Sequence, residues 1–168
     1  LEPFRFEQMR PGCYDIDARL HDMDLAGIWA QMNFPSQITG FCGRIFANAK
    51  NKEVGRACVR AWNDWLYEEW YKPHPDRIIP CGITYLQDPE WAVEEIHRNA
   101  ERGFVSVTFP ERPHAVDMPN LWDRAHWDPI IQACADTETV ISLHVGSSGM
   151  YPAPENSPML QLGATMFG

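Results

Sequence analysis

The chain has 168 residues, 45% of them hydrophobic and 22% charged, with 23 acidic side chains against 14 basic ones and a formal net charge of −9. That is the composition of one folded domain with a sizeable core, and it excludes a disordered chain. With no Lys/Arg cluster to neutralise phosphates and no apolar run near the roughly 20 residues that cross a bilayer, nucleic acid and membranes are excluded as partners.

Residues 1–16 are rich in Pro, Gly and charge and read as an irregular N-terminal arm. A short helix is expected over residues 17–24, stopping at Gly27. A strand follows over 28–34, ended by Pro35 and a Gly-containing loop through Gly43. Between residues 51 and 72, Val54, Cys58, Trp62, Trp65, Leu66 and Trp70 recur at spacings of three and four, the period of an amphipathic helix. The same spacing favours core packing over a ligand box for Trp62, Trp65 and Trp70. Residues 77–85 read as a short buried strand, although Pro80 lacks the N–H that a central strand needs.

Asp88-Pro89 is an N-cap with proline at the first helical position, and Ala92, Val93, Ile96 and Ala100 carry the pattern on to Gly103. Residues 104–109 are β-branched and aromatic, a strand that Pro110 terminates. Asp128-Pro129 repeats the cap signature for a helix over 130–135. The apolar run 140–146 is the fourth strand, and residues 151–168 read as a Pro-rich loop entering a further helix. Glu68-Glu69 and Glu94-Glu95 fall on helices, where paired acids make solvated faces.

Strands alternating with helices mean parallel pairing with right-handed crossovers, hence an α/β fold. The expectation is a single partial (β/α)₈-type domain over residues 1–168, with four strands visible. A complete barrel takes roughly 250 residues.

In such folds the chemistry collects at the carboxyl ends of the strands. Those ends present Asn33, Phe34 and Ser36; Thr84 and Tyr85; Thr108, Phe109 and Glu111; and His144 with Ser147 and Ser148. His144 closes an apolar strand just before Gly146, so a metal ligand, a general acid/base and a core histidine satisfied by a carbonyl all remain open. Asn33, Ser36, Tyr85, Thr108 and Ser147 are candidate substrate contacts. Arg44 and Arg112, after strand ends, are candidate carboxylate clamps through bidentate pairing, of which Arg44 is kept in the substrate set. No catalytic residue is assigned. Gly146-Ser-Ser-Gly149 reads as an active-site loop, and neither serine stands in a G-x-S-x-G elbow. Asp22-x-Asp24 precedes a strand, on the stability side of a barrel, and is set aside as a metal site. Five scattered cysteines without a C-x-x-C pair read as reduced thiols of a cytoplasmic protein.

Several phrases together resemble the amidohydrolase-related superfamily of metal-dependent TIM barrels, in the branch that includes aminocarboxymuconate semialdehyde decarboxylase and the resorcylate-type decarboxylases. They are the run from Arg19 to Ile28, Asn63-Asp-Trp-Leu66, Pro75-Asp-Arg-Ile78, Asp88-Pro89-Glu90, His126-Trp-Asp-Pro-Ile130 and Ser142-Leu-His-Val-Gly146. The resemblance implies a hydrolase or non-oxidative decarboxylase acting on a small carboxylated or aromatic substrate. It implies a divalent metal in the full-length protein, zinc or alternatively manganese, with His144 as one ligand. The family's other ligands, an acidic-x-His-x-His/Glu motif on the first strand and a late aspartate, have no counterpart in this sequence. The chain therefore resembles strands two to five of the barrel, and activity of these residues alone is not expected. The alternative from another class is a non-catalytic half-barrel module that binds a partner or forms a homo-oligomer.

Overall fold

The computed structural model describes residues 5–144 and 146–148; the loop and helix expected over 151–168 lie outside the described residues. Four strands, β1 (Gln31–Asn33), β2 (Ile78–Gly82), β3 (Ser106–Pro110) and β4 (Val140–His144), form one sheet in the order β1-β2-β3-β4. Every neighbouring pair is parallel. Helix α1 (Ile16–Leu25) precedes β1. Helices α2 (Arg44–Ala47) and α3 (Lys52–Trp65), α4 (Pro89–Glu101) and α5 (Arg124–Asp136) make the three crossovers. The fold is thus α/β, an incomplete TIM barrel. Residues 5–15 hold two single 3₁₀ turns, Phe6–Gln8 and Pro11–Cys13, and Arg10 ties them to α1 through paired bonds of 2.6 Å to Asp22.

Strand alternation sorts the sheet into two faces. Val107 and Phe109 of β3 point toward the helices and pack with Ala92 and Ile96 of α4 and with Trp127 and Ile130 of α5. Ser106, Thr108 and Pro110 point the other way, to the inner face, and the register pairs Thr108 with Ser142 and Pro110 with His144. Ser106 and Ser142 share a hydroxyl hydrogen bond of 2.8 Å on that face.

Pro80 is accommodated by its position in the ladder. It makes the last pair with β1, opposite Asn33, and pairing with β3 starts one residue later at Cys81. Pro80 stands where β2 passes from one neighbour to the other, so its missing N–H interrupts neither run of pairs.

Four expectations are corrected. The first strand spans only Gln31–Asn33, because Ile28 and Trp29 are exposed and their carbonyls accept from the Arg77 guanidinium instead of pairing. The N-cap of α5 is Asp123, not Asp128: the helix starts at Arg124 and carries Pro129 inside it. Starting there buries Trp127 completely, with its indole N–H donating to the Pro119 carbonyl at 3.0 Å. Burying an indole outweighs the one helical bond that Pro129 forfeits. Asp128 pairs with Arg124 at 2.9 Å.

The buried stripe of α3 and its continuation is Gly55, Val59, Asn63, Leu66 and Trp70, not the row expected from Val54 and Trp65, both of which are exposed. Two of its members, Gly55 and Asn63, carry no hydrophobic signal. The helix also widens into a π-helix over Leu66–Tyr71, which shifts the phase of a 3.6-residue pattern. Finally, Glu95 is not solvated like Glu94: it is fully buried and accepts from Asn63 at 3.0 Å, Arg60 at 3.0 Å and Arg98 at 2.9 Å. Three donors offset the cost of burying the carboxylate. Asn63 in turn donates to the Ile83 carbonyl and accepts from the Ile83 N–H, so it joins α3, α4 and the end of β2.

Candidate functional site

The carboxyl ends of the strands meet two loops, residues 34–43 after β1 and 146–148 after β4. His144, the last residue of β4, lies half-buried on the inner face. Its imidazole stacks on the Phe41 ring, with centroids 4.4 Å apart and planes within 6°, and meets the edge of Phe34 at 5.4 Å. Phe41 is delivered by a sharply turned loop in which Gly40, Phe41 and Gly43 have φ of 72°, 63° and 83°. Glycine takes the left-handed region freely; for phenylalanine it costs about 1–2 kcal/mol. That strain sits against the histidine.

The two loops touch each other. The Cys42 thiol donates to the Ser147 carbonyl at 3.7 Å, and burial pushes that thiol up to about 11. Ser147 and Ser148 are both buried, and both hydroxyls donate to Glu111, the residue after β3, at 2.6 Å. Burial opposes the charge on Glu111, but the bonds from Ser147 and Ser148 prevail and hold its carboxyl below the usual glutamate range.

The expected site residues separate into groups. Thr108 lies on the same inner face as His144, fully buried, and its hydroxyl has no hydrogen-bond partner among the described residues. Ser147 is beside His144, with its hydroxyl engaged by Glu111. Asn33 and Ser36 instead line a cavity of about 340 Å³ with Arg19, Trp62, Trp65 and Trp70. Phe34 borders both that cavity and the His144 ring. Tyr85 is buried under α3 with Val59 and Ile83, its ring covered by the Arg56 guanidinium at 5.6 Å. Arg44 opens α2, and its Nε is buried with no hydrogen-bond partner among the described residues. Of the other histidines, His126 bonds the Leu86 carbonyl at 2.8 Å and His74 lies 3.3 Å from Asp17.

Phe41 had no sequence signal beyond its flanking glycines. Glu111 was visible as a strand-end residue, and the two serines opposite it are the clue to its role.

Among the described residues no group of three or more His, Cys, Asp or Glu side chains is placed to hold a metal ion. A catalytic divalent ion takes about three protein ligands and one open position. A single imidazole such as His144 falls short of that number, so the described donor set does not make a metal site by itself.

A family model described as Amidohydrolase matches residues 4–167. Among solved structures, the 5-carboxyvanillate decarboxylase of Novosphingobium aromaticivorans, with bound manganese and 3-methoxy-4-hydroxy-5-nitrobenzoic acid, is 27% identical with a TM-score of 0.63, over 86% of this chain and 38% of that one. An amidohydrolase of Mycobacterium avium subsp. paratuberculosis is 30% identical with a TM-score of 0.68, over 94% of this chain and 39% of its own. A 2,6-dihydroxybenzoate decarboxylase from Rhizobium, 24% identical with a TM-score of 0.60, covers 86% of this chain and 42% of its own and supports the fold. The chain thus spans 38% to 42% of the length of these structures. No protein of curated function matches. Among the described residues no helix is long and apolar enough to cross a membrane.

Proposed function

The chain belongs to the amidohydrolase family, and on that premise we propose that its protein is a metal-dependent hydrolase or non-oxidative decarboxylase acting on a small carboxylated or aromatic substrate. His144 is one ligand of a divalent metal, zinc or manganese, and the remaining ligands come from outside the described residues. One observation carries the reading: a half-buried imidazole at the carboxyl end of β4, on the inner face of a parallel sheet. That is where barrels of this kind assemble their sites.

A bound divalent metal polarises a substrate oxygen or lowers the pKa of its water. The chain's own residues do the rest of what is claimed. Phe41 and Phe34 fix the plane of the imidazole and shield it from water. Thr108 brings a buried hydroxyl to the same face, free to bond a substrate oxygen. Five free thiols fit a reducing, cytoplasmic setting.

The test is turnover of hydroxylated benzoates, followed by CO₂ release, and of amides and lactones, followed by acid release, before and after chelation. The reading expects one of the two activities, lost with chelator and restored by zinc or manganese. Activity indifferent to chelation would refute it.

A second reading is a non-catalytic module that pairs with itself or a partner through Val140, Ile141 and Leu143 of β4, which are exposed among the described residues. Sedimentation distinguishes the two: a concentration-independent monomer removes self-association.

A further inference from the structure

The carboxylate of Glu111 accepts four hydrogen bonds, all from the turn that follows His144. Oε1 takes the Gly146 N–H at 3.2 Å and the Ser148 hydroxyl at 2.6 Å; Oε2 takes the Ser147 hydroxyl at 2.6 Å and the Ser148 N–H at 3.0 Å. A carboxylate offers about four acceptor positions, and here every one is filled from residues 146–148. Glu111, Ser147 and Ser148 are at most 7% exposed, so water does not compete.

We infer that Glu111 is the positioning residue of this site: its carboxylate fixes the turn over residues 146–148 and thereby the direction in which His144 leaves β4. The register makes this direct, since Glu111 follows Pro110, the residue paired with His144, and reaches across to the neighbouring loop. The turn closes back on the histidine itself, with the Ser147 N–H donating to the His144 carbonyl at 3.1 Å. The same turn carries the Ser147 carbonyl that receives the Cys42 thiol, next to the Phe41 ring on the imidazole. Holding the turn therefore also holds the ring stack.

The arrangement makes Glu111→Gln a discriminating variant. Each carboxylate oxygen holds one backbone N–H, so whichever way a glutamine amide is placed, its NH₂ opposes a backbone N–H that cannot turn away. Two fixed donors then face each other, and the turn must move.

The inference rests on His144 being a metal ligand only for its consequence, and two measurements keep the parts separate. The first is the NMR signal of the His144 ring Cε1–H in the metal-free whole protein, displaced upfield by the face of Phe41. In Glu111→Gln that displacement should be lost. In Val107→Ala, which opens a cavity on the helix face, it should persist despite lower stability. An unmoved signal in a folded Glu111→Gln, or an equal loss in Val107→Ala, overturns the positioning role. If Glu111→Gln fails to fold, Ser147→Ala, which removes one bond of the four, must shift the signal part of the way; an unchanged signal overturns the inference. The second measurement is Mn²⁺ affinity of the whole protein, expected to fall 10- to 100-fold in Glu111→Gln, the usual loss when the groups orienting a ligand are removed. A moved His144 signal with unchanged affinity would keep the positioning role and defeat the ligand reading.

Discussion

β3 and β4 are neighbours, paired over five residues, both rich in β-branched and apolar side chains, yet every residue of β3 is buried and none of β4 is. Among the described residues, the difference lies in what covers them. Val107 and Phe109 are roofed by α4 and α5, whereas Ile141 and Leu143, their partners on the helix face, stay 36% and 46% exposed. Composition sets which segments form strands; the elements packed over them set which strands carry the stability. Among the described residues the stable part lies on the helix side of β2 and β3, while the candidate chemistry stands at the end of the less covered strand. It is held there by loops, through Phe41, Cys42 and Glu111.

Substitutions on the two sides should separate accordingly. The largest effect belongs to Trp127→Ala, which empties a fully buried site over β3 and should cost about 3–5 kcal/mol in denaturant unfolding. Asn63→Ala comes next. It leaves the Ile83 N–H and carbonyl without their partner, for a loss of about 1–3 kcal/mol.

A smaller effect should appear on acidification at the α3–α4 junction. Asp64 is partly buried, which raises its pKa, but bonds to Arg98 and Arg102 outweigh that and lower it. A carboxylate whose folded pKa is depressed stabilises the fold above its unfolded pKa. The contribution is lost as pH falls below about 4 and through the folded value. Asp64→Asn should therefore flatten the acid limb of a stability-against-pH curve and leave the curve above neutrality parallel to the wild type.

Leu143→Ser should do least, within about 0.5 kcal/mol, because its side chain already faces solvent. A cost near that of Trp127→Ala would break the comparison and show that β4 is covered.

The segments with local rules were legible in the sequence. The Asp88-Pro89 cap is realised, with the Asp88 carboxylate accepting the Trp91 N–H at 3.2 Å, and alternation of apolar strands with helices led to a parallel sheet. Where the sequence misled, a tertiary partner had reversed a local preference. Glu95 is buried because three donors from α3 and α4 converge on it, and helix α5 begins early because Trp127 has a pocket to fill. Nothing local in the phrase Asn63-Asp-Trp-Leu66 marks Asn63 for burial, which depends on the backbone of Ile83, twenty residues away. At the site, His144 could be read from a strand ending in histidine and glycine. The Phe41 stack and the Glu111 bonds could not, since each joins loops that the sheet alone brings together.

The proposed function stands on His144 as a ligand of the metal. Its most direct test is the metal-to-protein ratio of the whole protein and of its His144→Ala and His126→Ala variants, purified identically and loaded with manganese. His126 is a half-buried histidine bonded to a backbone carbonyl and serves as the control. The expected ratio is near one for the wild type and for His126→Ala, and near zero for His144→Ala. A His144→Ala protein that keeps its full complement of metal would contradict it.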